Sequence, residues 1–297
     1  MAFRSGFIAV VGKPNVGKST LINALIGKKV SIVSPKPQTT RNKILGVLSN
    51  KDYQAIFVDT PGIHKSKTEL DNYMQKNIDN ATQDVDLILY VMDGSKDFAE
   101  DDLNELTNYC KGKTSVYAVV NKMDLSSKEA VFPRLSVLND IKNLEQIFCI
   151  SALQKKNLEP LLNACIEKLS DTIKYFPDDV ITDKGIGFVI AELIREKFLW
   201  HINDEVPHGV GVVVEQIVSN PNIEMITATI YCEKQGHKSI IIGSKGAKIK
   251  EIGQECRLAL QKMLGKKVNL ELWVKVKPNW RNREGLLSEI GYASEES

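Results

Sequence analysis

At 297 residues the chain exceeds one core of ordinary size and suffices for two domains. Hydrophobic residues at 43% and charged residues at 26% exclude a disordered or fibrous chain, and no apolar run reaches the eighteen residues that would span a bilayer. Net charge is only +2, yet residues 234 to 283 hold thirteen Lys/Arg against three Asp/Glu, a window of +10 set against −8 elsewhere.

The opening MAFRSGFIAVVGKPNVG reaches glycine and proline too soon for a secretory signal, so a cytoplasmic location is expected. Short apolar runs follow at Phe7 (FIAVVG), Ala55 (AIFVDT), Asp86 (DLILYVMD), Ser115 (SVYAVVNK) and Gln146 (QIFCIS), separated by helix-like stretches. That rhythm predicts buried parallel strands of an α/β sheet with helices on both faces. One pair breaks it: the runs on either side of Asn50-Lys51-Asp52 are too close for a crossover helix, so they form an antiparallel hairpin at the sheet edge. The helix-like NLEPLLNACIEKLSDTI ends the first domain near residue 172, and residues 173–182, with a proline and the acids Asp178 and Asp179, read as a linker. Residues 183–297 then run helix, two strands, a glycine-interrupted segment, helix and strand, an α+β domain.

The chemistry gathers at the carboxyl ends of the first-domain strands. Gly12-Lys13-Pro14-Asn15-Val16-Gly17-Lys18-Ser19, then Thr20, follow one strand and open a helix. This is the setting of a phosphate-cradling loop whose backbone N–H groups and helix terminus attract anions. Lys18 is placed to reach the terminal phosphates and Ser19 to ligate Mg²⁺. Asp59-Thr60-Pro61-Gly62 closes a second strand, giving a carboxylate for the magnesium and the Gly62 N–H for a γ-phosphate. Asn121-Lys122-Met123-Asp124 closes a third. Asp124 can accept from both the N1–H and the exocyclic amine of guanine, which adenine does not offer, so the pattern favours GTP over ATP. Asn121 would brace the loops and the Lys122 stem cover the base, while Ser151-Ala152-Leu153, at the end of the next strand, would supply the Ala152 N–H to the guanine oxygen.

In the second domain Ile242-Gly243-Ser244-Lys245-Gly246, followed by Lys248, Ile249 and Lys250, lacks the spacing of a second nucleotide loop, and flanking glycines make it a poor helix start. A Gly-x-x-Gly turn lets a nucleic-acid backbone approach closely, its lysines meet phosphates, and an adjoining apolar groove receives unstacked bases. The order helix, strand, strand, helix, helix, strand agrees with a type II KH domain. Trp273 reads as core, and Trp280 is divided between core packing and stacking on RNA. Anionic lipid is the other ligand such a basic window could meet.

These ordered motifs resemble the translation-factor-related P-loop GTPases, and with the KH module and PKPQTTR the whole chain resembles the Era family of bacterial GTPases. The resemblance implies GTP/GDP and Mg²⁺ as cofactors and a loop threonine, Thr39 or Thr40 with Thr40 favoured, closing onto Mg²⁺. It also implies GTP hydrolysis, binding near the 3′ end of 16S ribosomal RNA, assembly of the small (30S) ribosomal subunit, a link to the cell cycle and peripheral contact with the inner membrane. Many small GTPases have a water-orienting glutamine where this chain has Ile63. Related loops of PNVGKS type use their asparagine to hold a monovalent cation, which would give Asn15 a catalytic role with K⁺ beside Lys18, Thr40 and Gly62. His64, next to Ile63, reads as a solvated loop residue. No heptad or broad apolar stripe calls for oligomerisation, so a monomer is expected.

Overall fold

The computed structural model describes residues 3–63, 67–203 and 206–292, with backbone alone at 128–130; His64 lies outside them. They fall into two compact units.

Described residues 3–31, 40–63 and 74–183 make the first unit. Its strands are β1 (Arg4–Val11), β2 (Ile44–Ser49), β3 (Tyr53–Asp59), β4 (Leu87–Asp93), β5 (Ser115–Asn121) and β6 (Gln146–Cys149), in the order β2-β3-β1-β4-β5-β6. All pairings are parallel except β2 with β3, the edge hairpin read from the sequence. Period-two alternation sends Leu87, Leu89 and Val91 to one face and Ile88, Tyr90 and Met92 to the other. Helices α1 (Lys18–Ile26) and α5 (Leu158–Lys168) pack on the first face; α3 (Glu100–Tyr109), α4 (Lys128–Asn139) and the end of α2 (Glu69–Ala81) pack on the second. Burial on both faces is why these strands are continuously apolar in the sequence.

Residues 173–182, expected to link two domains, are strapped onto this unit instead. Ser5 Oγ donates to the Ile173 carbonyl at 2.6 Å, and Gln54 Oε1 accepts from the N–H groups of Tyr175 and Phe176 at 2.8 and 2.9 Å. Farther on, the Val47 N–H donates to the Ile181 carbonyl at 3.0 Å and the Leu45 N–H to Asp183 Oδ1 at 2.8 Å. Strand β2 is an edge, and the strap satisfies donors that an edge would otherwise expose.

The second unit comprises described residues 32–39, 67–73 and 184 onward. Its elements are α6 (Ile186–His201), β7 (Gly211–Ser219), β8 (Ile223–Cys232), α7 (Gln235–Ile242), α8 (Ala247–Leu264), β9 (Lys267–Val276) and α9 (Glu284–Glu289). The sheet order is β7-β8-β9, antiparallel then parallel. Ile190, Ile194 and Phe198 of α6 and Ile252, Cys256 and Leu260 of α8 bury one face of it with Ile226, Ala228 and Ile230. The expected helix-strand-strand-helix-helix-strand order is present.

Two tryptophan expectations resolve in opposite directions. Trp280 is fully buried, donates Nε1–H to the Gly209 carbonyl at 3.0 Å and stacks on Tyr292, so it is core and not an RNA platform. Trp273, expected in the core, is 55% exposed: on β9 it alternates with the inward Leu272 and Val274 and so faces outward.

Candidate functional site

The chain leaves β1 at Val11 and turns through residues 12–17 into α1, whose first turn carries no acidic residue. The positive end of the helix is therefore left for an anion. Asn15 sits in the left-handed region at φ 62°, bending the loop. The buried Lys18 Nζ donates to the carbonyls of Gly12 at 2.8 Å and Lys13 at 3.0 Å. Burial pulls its pKa down to about 8, against the pull of Asp59 and Glu105. A cation held this way offers strong charge-assisted bonds to a phosphate that replaces those carbonyls. Gly62 lies directly against the loop: a Cβ there would stand 2.6 Å from Pro14 Cα, and the Ile63 N–H donates to the Gly12 carbonyl at 3.1 Å.

Beside Lys18, three side chains from distant segments meet. Ser19 Oγ donates to Asp59 Oδ2 at 2.8 Å and lies 2.9 Å from Thr40 Oγ1, which itself is 3.4 Å from Asp59 Oδ2. Asp59 is fully buried, which pushes its carboxyl up, opposed by the Ser19 hydroxyl and the Lys18 charge. Its Oδ1 has no hydrogen-bond partner among the described residues. A buried carboxylate with a spare oxygen and two hydroxyls turned to it is a hard-oxygen donor set of the kind Mg²⁺ takes, so Ser19, Thr40 and Asp59 fit the ion. Thr39 is spent elsewhere: its Oγ1 lies 2.7 Å from Ser34 Oγ and donates to the Lys36 carbonyl at 2.6 Å. Thr60 is spent too, its hydroxyl donating to the Val10 carbonyl at 2.8 Å, and Pro61 is buried.

The ends of β4, β5 and β6 bring together the residues expected to hold the base. Asn121 Nδ2 donates to the Val16 carbonyl and Oδ1 accepts from the Ala152 N–H, each at 2.9 Å. Asn121 thus braces the phosphate loop, but the Ala152 N–H expected to face the guanine oxygen is held by that brace, because a buried N–H needs a partner. Ser151 donates its hydroxyl to Asp124 Oδ1. Lys122, left-handed at φ 64°, reaches Asp93 Oδ2 at 2.8 Å. Burial alone would raise the Asp93 carboxyl; hydrogen bonds from Lys122 and Ser95 outweigh it and hold the group below its usual range. Asp93 fixes the Lys122 stem and was not singled out from the sequence, although it ends β4 at this same edge. Leu153 is 77% exposed at the rim, and Lys13 pairs with Glu105 at 3.3 Å.

In the second unit α7 ends at Ile242 and Gly243 turns the chain at φ 72°. A Cβ there would stand 2.6 Å from Lys248 Cβ, so only glycine closes the turn into Ser244, Lys245 and Gly246. Past it, a cavity of about 470 Å³ is floored by Ile249, Leu270 and Leu272 and rimmed by Lys250, Gln254 and Arg257. An apolar floor with a cationic rim suits bases unstacked from a single strand. Arg257 escaped the sequence reading; it lies two helical turns beyond Lys250, on the same face of α8.

Comparison with known proteins decides the family. Residues 7–122 match the model of a 50S ribosome-binding GTPase and residues 205–281 that of a KH domain. The GTPase Era of Clostridium kluyveri is 47% identical over 290 residues, 97% of this chain and 99% of its own length. This chain belongs to the Era GTPase family. Era of Caldanaerobacter subterraneus subsp. tengcongensis is 46% identical over 295 residues, 99% of both chains. A crystal structure of Era in complex with MgGDPNP and nucleotides 1506-1542 of 16S ribosomal RNA is similar with a TM-score of 0.94 at 38% identity, covering 98% of this chain and 100% of that one. An Aquifex aeolicus Era variant bound to GDP.AlF4- matches equally. The Era-family chain described here is thus a P-loop GTPase with a KH domain, and the loop-and-helix geometry around Lys18 and around Gly243 belongs to those two parts. No helix among the described residues is long and apolar enough to cross a membrane.

Proposed function

We propose that this GTPase is a nucleotide-gated RNA-binding factor that acts, like its Era relatives, on the 3′ end of 16S ribosomal RNA during assembly of the 30S subunit. Lys18, Ser19, Thr40 and Asp59 hold MgGTP; Asn121, Lys122 and Asp124 hold the base; residues 242–250 and the groove beyond them hold the RNA. When bound, Mg²⁺ supplies charge neutralisation at the phosphates. The Lys18 ammonium adds to that charge, and the Gly62 segment, fixed against Pro14, presents backbone to the terminal phosphate. The protein works in the cytoplasm as a monomer, with peripheral membrane contact through its basic residues.

The observation that carries the RNA reading is the groove floored by Ile249, Leu270 and Leu272, whose apolar floor serves bases and has no counterpart need in a lipid headgroup. Binding of a fluorescent RNA from the 16S 3′ end is expected to differ between GTP analogue and GDP, and to be lost in a Gly243→Asp/Gly246→Asp variant. Equal binding by that variant, or displacement of RNA by anionic vesicles that it also binds, would move the basic window to lipid.

Because Ile63 cannot orient water, hydrolysis needs another group: Asn15 would hold a potassium ion near the phosphates, which would supply positive charge there in place of an arginine finger. Single-turnover hydrolysis should be faster in K⁺ than in Na⁺ for the natural chain, and Asn15→Ala should erase the difference. Equal rates in both salts for the natural chain would discard the cation.

A further inference from the structure

Helix α6 of the second unit grips a loop whose next residue is a magnesium-site residue. Arg195 is 1% exposed and Glu192 9%. The guanidinium Nε and Nη2 donate to the two Glu192 oxygens at 2.7 and 2.6 Å, and Nη2 also donates to the Thr39 carbonyl. One residue along α6, Glu196 Oε1 accepts from the Val33 N–H at 2.8 Å, and a turn later Trp200 Nε1–H donates to the Val33 carbonyl at 3.1 Å. Both ends of residues 33–39 are therefore fastened to one helix. Between the ends, the loop is tied to itself through Ser34, Lys36 and Thr39. Gln38, left-handed at φ 59°, donates to Asp71 Oδ1 at 2.8 Å, and Asp71 Oδ2 accepts from the N–H groups of Lys67 and Thr68.

The Thr39–Thr40 peptide bond carries the chain from this unit to the first. Consecutive Cα atoms are about 3.8 Å apart, so the carbonyl that Arg195 holds belongs to the very peptide plane that sets where Thr40 begins. We propose that Arg195, oriented by Glu192, is a positioning residue for the GTPase site: by fixing the Thr39 carbonyl it holds the Thr40 hydroxyl toward Ser19 and Asp59. This rests on the reading of Thr40 as a ligand of the MgGTP site. The bond satisfies a donor of the buried guanidinium and, with its acceptor 156 residues away in sequence, also ties the end of the loop to α6. The forked guanidinium can serve Glu192 and Thr39 together; an ammonium cannot do so with fixed geometry.

The test titrates fluorescent GDP and a non-hydrolysable GTP analogue, with Mg²⁺ varied, against the full chain and its Arg195→Met, Arg195→Lys and Thr40→Ala variants. Only the analogue carries a γ-phosphate for a closed loop to meet. Arg195→Met is expected to weaken analogue binding about tenfold, the worth of one hydrogen bond to a charged group, to raise the half-saturating Mg²⁺, and to leave GDP affinity within about twofold. Arg195→Lys keeps charge against Glu192, and so the fold, and should move the same ratio by a smaller factor; should Arg195→Met not fold, Arg195→Lys decides alone. An unchanged analogue-to-GDP ratio and Mg²⁺ dependence in the folded Arg195 variants, or an equal loss for both nucleotides, overturns the proposal. Thr40→Ala separates the two failures: a shift there with none at Arg195 removes Arg195 only, whereas no shift at Thr40 removes the reading beneath it.

Discussion

In the proposed base site Ser151 holds Asp124 in place. The hydroxyl donates to one carboxylate oxygen and so fixes the plane of the carboxylate, and Ser151 is itself 1% exposed. Guanine brings two N–H donors to such a group, and the carboxylate meets both as an acceptor. Asp124→Asn replaces one acceptor by a donor, which opposes a guanine N–H and matches the carbonyl that xanthine carries in place of the amine. The expected loss of GDP affinity is about 2–4 kcal/mol, one or two hydrogen bonds to a charged group, with xanthosine diphosphate gaining on GDP. Competitive titration of the two nucleotides measures it, and unchanged preference for GDP would take Asp124 out of the base pocket. The proposed role of Asp124 was legible in the sequence because its residue type, its strand end and its neighbours all point to guanine. Asp93 was not, because a lone acid at a strand end has many uses and only the 2.8 Å approach of Lys122 gives it one.

Elements were legible where burial writes a pattern. Strands buried on both faces read as continuous apolar runs, and the short Asn50-Lys51-Asp52 connection forced the one antiparallel pair. Segments held by backbone hydrogen bonds write no such pattern. Residues 173–182 carry Pro177 beside Asp178 and Asp179, the signature of a linker, yet Gln54, fully buried, takes two of their N–H groups and returns one donor to the Phe176 carbonyl at 2.8 Å. Residues 32–39 likewise group with α6, through contacts made more than 150 residues away in sequence. Trp273 was misread for a smaller reason: its size suggested core, and only the parity of β9 turns it outward.

Across the whole chain, the +10 window is less uniform than its count. Lys266 pairs with Glu224 at 2.9 Å, Arg281 with Glu233 at 2.6 Å, and Lys277 with Glu289, carboxylates that all lie outside the window. Part of the negative charge elsewhere is thus folded back onto the basic segment, and the field narrows toward the groove, where Lys250 and Arg257 form the rim, Lys245 lies in the turn beside it and Lys248 in the first turn of α8. Each phosphate neutralised on a single strand contributes a slope of about −0.7 to log affinity against log salt. Lys250→Ala/Arg257→Ala should therefore flatten the salt dependence of RNA binding by about 1.4, whereas Lys266→Ala/Lys277→Ala, removing cations already engaged by carboxylates, should leave the slope nearly unchanged. Affinities for one fluorescent single strand at several salt concentrations give both slopes. Equal flattening by the two pairs would mean that RNA feels the segment as a diffuse charge, and the groove would lose its claim to direct the strand.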